Sequence, residues 1–342
     1  MAASGVARLC LKARPTSAQL SDRLRPVDGV LADGLELYLA AADLVDQATL
    51  DEIARRIEGC QVADGFAWLI EGPVDSLDGC DFDVTRESPA DREVVRRLAE
   101  LAARIGALAV NIHVISPNAD VGRLTLATRD ALLHGCVPFL IEFVERVRGA
   151  GAVPTVENMP PVLRMRRGGF SFTPIGMASQ DLLWLVERVP GLAILPDTSH
   201  AGLYLNARAQ ARSTSIRLSE PHTSDAVSQV STPGGTPASA DEPSFPGREE
   251  LLRYIAELPD EAPDLLGYIQ TFEPHLANAQ VSNAAGLLGE GLAYAEGEFD
   301  LDPVIGWLGR AAGHLVTETL EPRVDDAVNM REALRRMRRA VA

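Results

Sequence analysis

The sequence predicts an α/β protein built as a single (β/α)8 (TIM) barrel over residues 1–342, with a long insertion after the sixth strand. Eight short apolar runs alternate with amphipathic segments, which is typical of repeated parallel βαβ units, and eight such strands can close into a barrel. No G-x-G-x-x-G motif follows the first run. The alternative architecture, an open doubly wound sheet that binds a dinucleotide, is therefore less favoured.

The predicted strands are short continuous apolar runs, as expected for buried parallel strands. In chain order they are Ala7–Leu11, Leu35–Ala40, Phe66–Glu71, Leu108–Val114, Ala152–Glu157, Leu192–Asp197, Ala277–Ser282 and His314–Thr319. The segments between them repeat apolar residues at helical spacing, and Ser88-Pro89 is a helix-start signal. The predicted helices are Ala90–Ile105, Thr128–Arg148, Gln180–Val189, Arg248–Ile269, Asp302–Ala311 and Asp325–Arg339.

Residues 207–246 interrupt this alternation. The stretch is rich in Ser, Thr, Pro, Gly and Asp, and it follows the predicted strand that ends in Asp197. A loop of this length inside a barrel is commonly either a disordered excursion or a lid over the catalytic face. The sequence therefore predicts a flexible insertion or a lid loop here.

The composition is that of a globular protein, with 46% hydrophobic and 23% charged residues. Acidic residues outnumber basic ones by 48 to 32, and the net charge of -16 argues against nucleic acid and against an anionic membrane as partners. The chain shows no apolar leader and no stretch near the roughly 18 apolar residues of a membrane helix, and its four dispersed cysteines suit reduced thiols. We expect a cytoplasmic protein with a small-molecule substrate, and a homo-oligomer is left open.

Polar side chains follow several predicted strands at the point where each strand ends. They are Asn111 and His113, Glu157 and Asn158, Asp197 and His200, and Glu318. The carboxyl ends of barrel strands meet at one face, which is where barrel enzymes assemble their catalytic groups. The sequence thus predicts one site at that face.

Four motifs in this order resemble the xylose isomerase-like TIM-barrel superfamily, which includes sugar isomerases, ketose 3-epimerases and endonuclease IV-type DNA repair enzymes. The motifs are Glu157-Asn158-Met159-Pro160, Asp197-Thr198-Ser199-His200, Gln280-Val281-Ser282-Asn283 with the glycine-rich segment 286–291, and Glu318. The resemblance covers residues 152–336 closely and the first half through its strand rhythm.

In the isomerase and epimerase branches, the resemblance implies a metal held by Glu157, Asp197, Gln280 and Glu318 from four successive strands. Gln280 departs from the family, which has histidine at that place. Three carboxylates and one amide oxygen would form an all-oxygen site, which favours Mn²⁺ or Mg²⁺ over Zn²⁺, and the same departure leaves open that no metal binds. Each carboxylate alone could cap a helix or pair with an arginine, but three close together need a cation or a proton.

The resemblance also implies groups that contact the substrate. His200 and Asn158 would hold substrate hydroxyl groups, while His113 matches a metal ligand of the repair branch and equally suits a lining role. The other predicted lining residues are Asn111, Asn283 and Glu71. The glycine-rich segment contains no Lys or Arg, which favours a neutral polyol over a phosphosugar.

We therefore predict a metal-dependent isomerase or epimerase of a sugar, polyol or related hydroxy-carbonyl compound. Glu157 and Glu318 would exchange the proton next to the carbonyl as base and acid. Two alternatives stay open. A barrel that has lost catalysis and serves as a binding subunit would explain Gln280, whereas a metal-dependent hydrolase or phosphodiesterase would need more histidines and a basic groove.

Overall fold

The computed structural model describes residues 6–118, 120–164, 170–219 and 245–341, and its centre is a sheet of eight parallel strands. The strands of the described chain are β1 (Arg8–Ala13), β2 (Gly34–Tyr38), β3 (Ala67–Glu71), β4 (Ala109–His113), β5 (Val153–Glu157), β6 (Val162–Arg164), β7 (Phe170–Phe172), β8 (Ala193–Leu195), β9 (Asn278–Val281), β10 (Asn283–Ala285), β11 (Gly289–Leu292) and β12 (His314–Thr317).

Helices follow most of the strands. They are α1 (Ser17–Arg23), α2 (Gln47–Glu58), α3 (Pro89–Ile105), α4 (Leu126–Gly149), α5 (Ser179–Arg188), α6 (Thr198–Ser219), α7 (Arg248–Glu257), α8 (Leu265–Gln270), α9 (Asp302–Ala311) and α10 (Val328–Val341). Three short 3-10 helices span Ala41–Leu44, Val121–Arg123 and Glu273–His275. Among the helices of the described ranges, none has the length and hydropathy needed to cross a lipid bilayer.

The sheet closes into a barrel. Its strand order is β8-β5-β4-β3-β2-β1-β12-β9, with every neighbouring pair parallel. Isolated parallel bridges join its ends, where Ala277 donates to the carbonyl of Ile194 and Gln280 to that of Pro196, each at 3.0 Å. The strands β6 and β7, and β10 and β11, form two antiparallel pairs outside this sheet. The predicted eight-stranded barrel is therefore confirmed, and the open sheet is excluded.

All eight predicted strands form, with boundaries within two residues of the prediction. The main core lies between the outer face of the sheet and the helices, and it includes Leu9, Leu37 and Ile70. A second, small apolar cluster comprises Cys10, Ala67, Leu69, Ala109 and Val316. These residues alternate along their strands with residues of the main core, so they fill the interior of the barrel.

Two predicted segments differ from the structure. The single helix predicted over Arg248–Ile269 is two helices, α7 and α8, because Pro259 and Pro263 lie between them and proline cannot continue a helix. Residues 207–219 of the predicted insertion are helical, since α6 continues to Ser219. Residues 220–244 of that prediction lie outside the described residues.

Gly34 lies where β2 approaches its neighbours closely inside the barrel. A Cβ atom at this position would lie 2.5 Å from the Ala67 carbonyl oxygen, 2.6 Å from the Ala67 Cβ and 2.9 Å from the Cys10 Sγ. The backbone of β3 would have to shift to relieve such contacts. Glycine is thus required by space rather than by backbone conformation.

We expect Gly34→Val to lower the free energy of unfolding by about 2 kcal/mol or more, because overpacking a tight core forces strain. Urea denaturation of the purified variant measures this. Gly306→Ala is the matched control, since a Cβ there would lie 3.7 Å from the Ala340 carbonyl oxygen, an ordinary contact, and the helix α9 should gain stability. Equal stabilities for the Gly34 variant and the wild type would contradict the prediction.

Candidate active site

The carboxyl ends of the barrel strands carry a ring of polar side chains above the small interior cluster. Side chains alternate along a strand, so the residue two positions after an interior residue also points into the barrel. In β1 this step leads from Cys10 to Lys12, and in β3 it leads from Leu69 to Glu71. In β4 it leads from Ala109 to Asn111. The ring is therefore built by strand alternation.

The register of the sheet brings members of this ring side by side. Lys12 lies opposite Glu36, while Glu71 is opposite Asn111 and His113 is opposite Glu157. Asp197 and Gln280 pair across the closing bridge between β8 and β9. Residues that are far apart in the sequence thus become neighbours around one opening, which we call the barrel mouth.

Glu157 lies in the middle of a dense polar network and is 1% exposed. The Asn111 side-chain amide donates to its Oε2 at 2.7 Å, and the His200 Nδ1 lies 2.9 Å from its Oε1. The His113 Nε2 is 3.6 Å from Oε2. Asn111 and His113 approach this carboxylate from β4, and His200 approaches it from the start of α6. The carboxylate is therefore held from both sides of its own strand, β5.

Asp197 stands at the amino end of helix α6. Its Oδ1 accepts from the backbone N–H of His200 at 2.7 Å, as an N-cap residue does, and Asn158 makes two hydrogen bonds to its backbone. Burial and then the charge of Glu157 raise the pKa of Asp197 to about 6, although His200 opposes this rise. The Asp197 carboxylate therefore has two roles. It caps helix α6, and it also belongs to the group of polar side chains at the barrel mouth.

His200 joins Asp197 and Glu157 to the glycine-rich segment. Its Nδ1 also lies 2.8 Å from the Asn158 carbonyl oxygen, and its Nε2 lies 3.1 Å from Glu290 Oε1. Burial alone would lower the pKa of His200, but Asp197, Glu157 and Glu290 hold it well above the usual value. A protonated imidazolium is the expected form at neutral pH.

Lys12 and Gln280 organise the opposite side of the mouth. The Lys12 ammonium contacts the carboxylates of both Glu71 and Glu318. The Gln280 side-chain N–H groups donate to Glu36 Oε2 and Glu71 Oε2, each at 2.7 Å. Burial favours a neutral Glu71, but Lys12 and His113 outweigh it and lower the pKa of Glu71 to about 2.

Glu36 and Glu318 have the opposite tendency. Burial and repulsion from Glu71 raise the pKa of Glu36 to about 8, although Lys12 and Gln280 oppose the rise. Burial also raises the pKa of Glu318 well above its usual value, against the attraction of Lys12. In the absence of a further cation, these two carboxyls are the favoured places for protons.

The predicted metal ligands fall into two adjoining groups. Glu157, Asp197 and His200 have ligand atoms within 4.8 Å of one another, and Glu318 forms a similar group with Glu36 and Glu71. A third group, of Glu71, His113 and Glu157, connects the two. Gln280 directs its amide nitrogen at Glu36 and Glu71 rather than at Glu157. Convergence of all four predicted ligands on one point stays a prediction.

The residues of the mouth nevertheless fit a cation. Within the part of the chain that the structure describes, Gln280 Oε1 and Glu318 Oε2 are buried acceptors that lack a hydrogen-bond partner. A buried acceptor without a partner is costly, and a metal ion is one kind of partner that carboxylate and amide oxygens accept. The imidazoles of His113 and His200 belong to two of the three groups of possible ligands, so nitrogen ligands are available as well. The preference for Mn²⁺ or Mg²⁺ over Zn²⁺ remains a prediction.

A cavity of about 410 Å³ opens above this network. Four predicted site residues line it, namely Glu71, His113, His200 and Glu318, together with Lys12 and Glu290. Its walls are largely apolar and include Ile115, Met159 and Leu163. Glu157, Asp197 and Gln280 are more deeply buried and contact these lining residues. The cavity is large enough for a monosaccharide-sized molecule.

Asn283, predicted to line the pocket, has a different set of contacts. Its side-chain N–H groups donate to the carbonyls of Tyr294 and Phe299, and its Oδ1 accepts from the backbone N–H groups of Ala284 and Phe299. These bonds hold the segment that carries Glu290 next to His200. A role in substrate binding for Asn283 stays a prediction, and the structure gives it a positioning role.

The sequence interpretation did not assign Lys12, Glu36 or Glu290 to the site. One signal was available for the first, because Lys12 is the only lysine among 342 residues, beside 31 arginines. A glutamate at the centre of an apolar strand run was the signal for Glu36. Glu290 was recognised as part of the glycine-rich segment, but only the folded chain brings it to His200.

No protein-family model matches the chain, and no curated protein matches it in sequence. Solved structures do match it along its whole length. A D-tagatose 3-epimerase-like protein superposes with a TM-score of 0.58 at 15% identity, covering 98% of each chain. The 3-keto-D-glucoside 4-epimerase YcjR from E. coli gives 0.58 at 12% identity, covering 97% of this chain and 99% of that one.

A xylose isomerase domain protein from Planctomyces limnophilus gives a TM-score of 0.54 at 11% identity, covering 99% of this chain and 98% of that one. At such identities the likeness concerns the fold. The chain therefore has the fold of the xylose isomerase-like TIM-barrel sugar epimerases, the superfamily that its strand-end motifs resemble.

Proposed function

We propose that this protein is a metal-dependent isomerase or epimerase that acts on a sugar, polyol or related hydroxy-carbonyl compound. The observation that carries the proposal is the barrel mouth itself. Six carboxylates, from Glu36, Glu71, Glu157, Asp197, Glu290 and Glu318, meet there with one lysine and two histidines. Carboxylates this close cannot all stay ionised without a further cation. If no such cation binds, some of them must hold a proton.

In this proposal, Glu157 and Glu318 act on opposite sides of one substrate. Their strands, β5 and β12, are three positions apart around an eight-stranded barrel, so the two carboxylates flank the mouth. In the proposed reaction, Glu157 removes the proton from the carbon next to the carbonyl. Glu318 returns a proton from the other side of the substrate. Return to the opposite face of the same carbon gives an epimer. Return to the neighbouring carbon, with transfer of the hydroxyl proton to the former carbonyl oxygen, gives an isomer.

A divalent cation would be held by Glu157, Asp197, Gln280 and Glu318, and it would polarise the carbonyl and the adjacent hydroxyl. The chain's own residues supply the remaining requirements. His200 lines the cavity, and its two ring nitrogens are held by Asn158 and Glu290. Asn111 fixes Glu157 through its side-chain amide. These contacts orient the proton-transferring groups before a substrate arrives.

The charge of the mouth favours a neutral substrate. Its carboxylates would repel a phosphate group, and the arginines of the cavity wall already have partners. Arg14 donates to Asp43 at 2.6 Å, and Arg23 donates to the carbonyls of Val324 and Asp325. Neighbours in fold include proteins named for 3-epimerisation of D-tagatose and 4-epimerisation of a 3-keto-D-glucoside. A ketose or keto-glycoside without phosphate is the substrate class we propose.

Proton transfer next to a carbonyl can be detected without knowing the product. We expect the protein, purified without chelator and assayed with Mn²⁺ in D2O, to introduce deuterium next to the carbonyl of one member of a panel of unphosphorylated ketoses that begins with D-tagatose. Proton NMR reports the exchange, and elemental analysis reports the bound metal. Metal-stripped protein is the control, and it should exchange much more slowly.

Two results would contradict the proposal. Exchange at equal rates with and without metal would remove the cation from the mechanism. Protein that binds no divalent cation and exchanges no proton with any ketose would favour a barrel that has lost catalysis. Cleavage of a duplex that contains an abasic site would instead support the phosphodiesterase alternative.

A further inference from the structure

Lys12 is the only lysine of the chain, and it lies in the barrel mouth. Every other basic side chain of fixed charge, 31 in all, is an arginine. Lys12 ends the inward-facing row of β1 and is 9% exposed. A charged side chain is rarely buried to this extent unless it has partners of opposite charge.

The partners of Lys12 are acidic. Its ammonium contacts the carboxylates of Glu71 and Glu318, and it lines the cavity beside them. The Tyr38 ring centroid lies 5.7 Å from its Nζ. Among these neighbours, Glu318 is also one of the proposed metal ligands. One carboxylate is therefore shared between a protein cation and the expected metal.

Lysine and arginine differ in ways that matter here. An ammonium is a compact point charge on a flexible stem, whereas a guanidinium is a planar fork that needs space on both sides of its plane. A flexible stem allows the charge to leave Glu318 while it keeps its contact with Glu71. A divalent cation can then take the freed carboxylate oxygen.

We propose that Lys12 is the resident cation of the barrel mouth, that it competes with a divalent metal for Glu318, and that it thereby sets the metal affinity of the site. This inference rests on the proposed function for the identity of the ligands. When metal is absent, the ammonium is the cation that contacts both Glu71 and Glu318. When metal binds, the ammonium is displaced toward Glu71 and the cavity, where it can meet an oxygen of the substrate.

The test is titration calorimetry of metal-stripped protein with MnCl2. We expect Lys12→Met to bind Mn²⁺ at least about tenfold more tightly than the wild type. The variant keeps an unbranched side chain but removes the ammonium, which occupies the Glu318 carboxylate and repels the metal ion. Lys12→Arg retains the charge on a less adaptable side chain, so it should bind Mn²⁺ no more tightly than the wild type. Arg55→Met, on the exposed face of α2, removes the same charge far from the mouth and controls for net charge.

The outcomes are separable. Equal affinities for wild type and Lys12→Met would overturn the inference and leave the proposed function intact. Absence of binding in every protein, including Arg55→Met, would overturn both. If Lys12→Met does not fold, the wild type still decides the question, because ¹⁵N-lysine labelling yields a single side-chain ammonium signal. Saturation with Zn²⁺ should shift that signal, and an unchanged signal at saturation would overturn the inference.

Discussion

Glu157→Gln is expected to lower kcat by about 100- to 10,000-fold on whichever ketose undergoes exchange, because it removes the proposed base without changing the size of the side chain. The glutamine can still accept a hydrogen bond from Asn111. It also removes one of the mutually repelling charges of the mouth. The variant should therefore keep its barrel, with a melting temperature equal to or above that of the wild type.

The measurement is the rate of deuterium incorporation at saturating ketose and Mn²⁺, with the metal content of each protein determined in parallel. Glu273→Gln is the matched control, because this glutamate is exposed in the short helix Glu273–His275, outside the mouth. A loss of activity together with a loss of metal would assign Glu157 chiefly to metal binding. Activity within threefold of the wild type would contradict the proposed base.

The metal-free protein should lose stability as the pH rises from 5 to 8. Burial, with repulsion from Glu71, raises the pKa of Glu36 from 4.5 to about 8, while burial and Glu157 raise that of Asp197 from 3.8 to about 6. A buried carboxyl with a raised pKa holds a proton that the unfolded chain has already released. The stability it confers is complete at low pH and disappears as the pH passes through its folded pKa.

The charged groups around Glu36 act in both directions. Lys12 and Gln280 lower its pKa, whereas Glu71 and Glu157 raise it. The neighbouring histidines reinforce the trend, since carboxylates raise the pKa of His113 and of His200 and the charged imidazolium is lost as the pH rises. Glu71, with its pKa lowered to about 2, contributes fully across this range.

We expect the free energy of unfolding to fall on the order of 3 kcal/mol between pH 5 and pH 8, measured by urea denaturation in the presence of a chelator. Glu36→Gln, which is permanently neutral, should lose most of this dependence. Addition of Mn²⁺ should oppose it, because metal ligands must be deprotonated and metal binding strengthens with pH. Stability that rises between pH 5 and pH 8 in chelator would contradict the prediction.

Local sequence patterns were sufficient to predict the barrel architecture of the protein. Each strand of the barrel is a short apolar run, and its carboxyl end is marked by the first polar group, as at Glu157 and Asp197. These signals depend only on residues that are close together in the chain, so they can be recognised from the sequence alone. They also identified one face of the barrel as the place where Asn111, His113 and His200 would meet, and the structure brings these three to Glu157.

Other features depend on contacts that local patterns do not encode. Helix α6 extends through residues 207–219 despite a composition that favours a loop, because its first turns pack in the core through Tyr204, Leu205 and Ala207. The single helix predicted over 248–269 is interrupted at Pro259 and Pro263, because the prediction gave more weight to amphipathic spacing than to these prolines. Asn283 has the motif of a pocket residue, yet its amide holds a loop through backbone groups 11 and 16 residues away.

The sequence by itself determined the eight strands, the face that carries the chemistry and most of the residue types found there, because strand alternation and strand ends are local properties. Only the tertiary structure decided which atoms meet. Lys12 reaches Glu318 across 306 residues, and Gln280 reaches Glu36 across 244. Closure of the barrel sets those pairs, since it brings the last strand, β12, next to the first, β1, and joins β8 to β9. The electrostatic balance of the mouth follows from that closure.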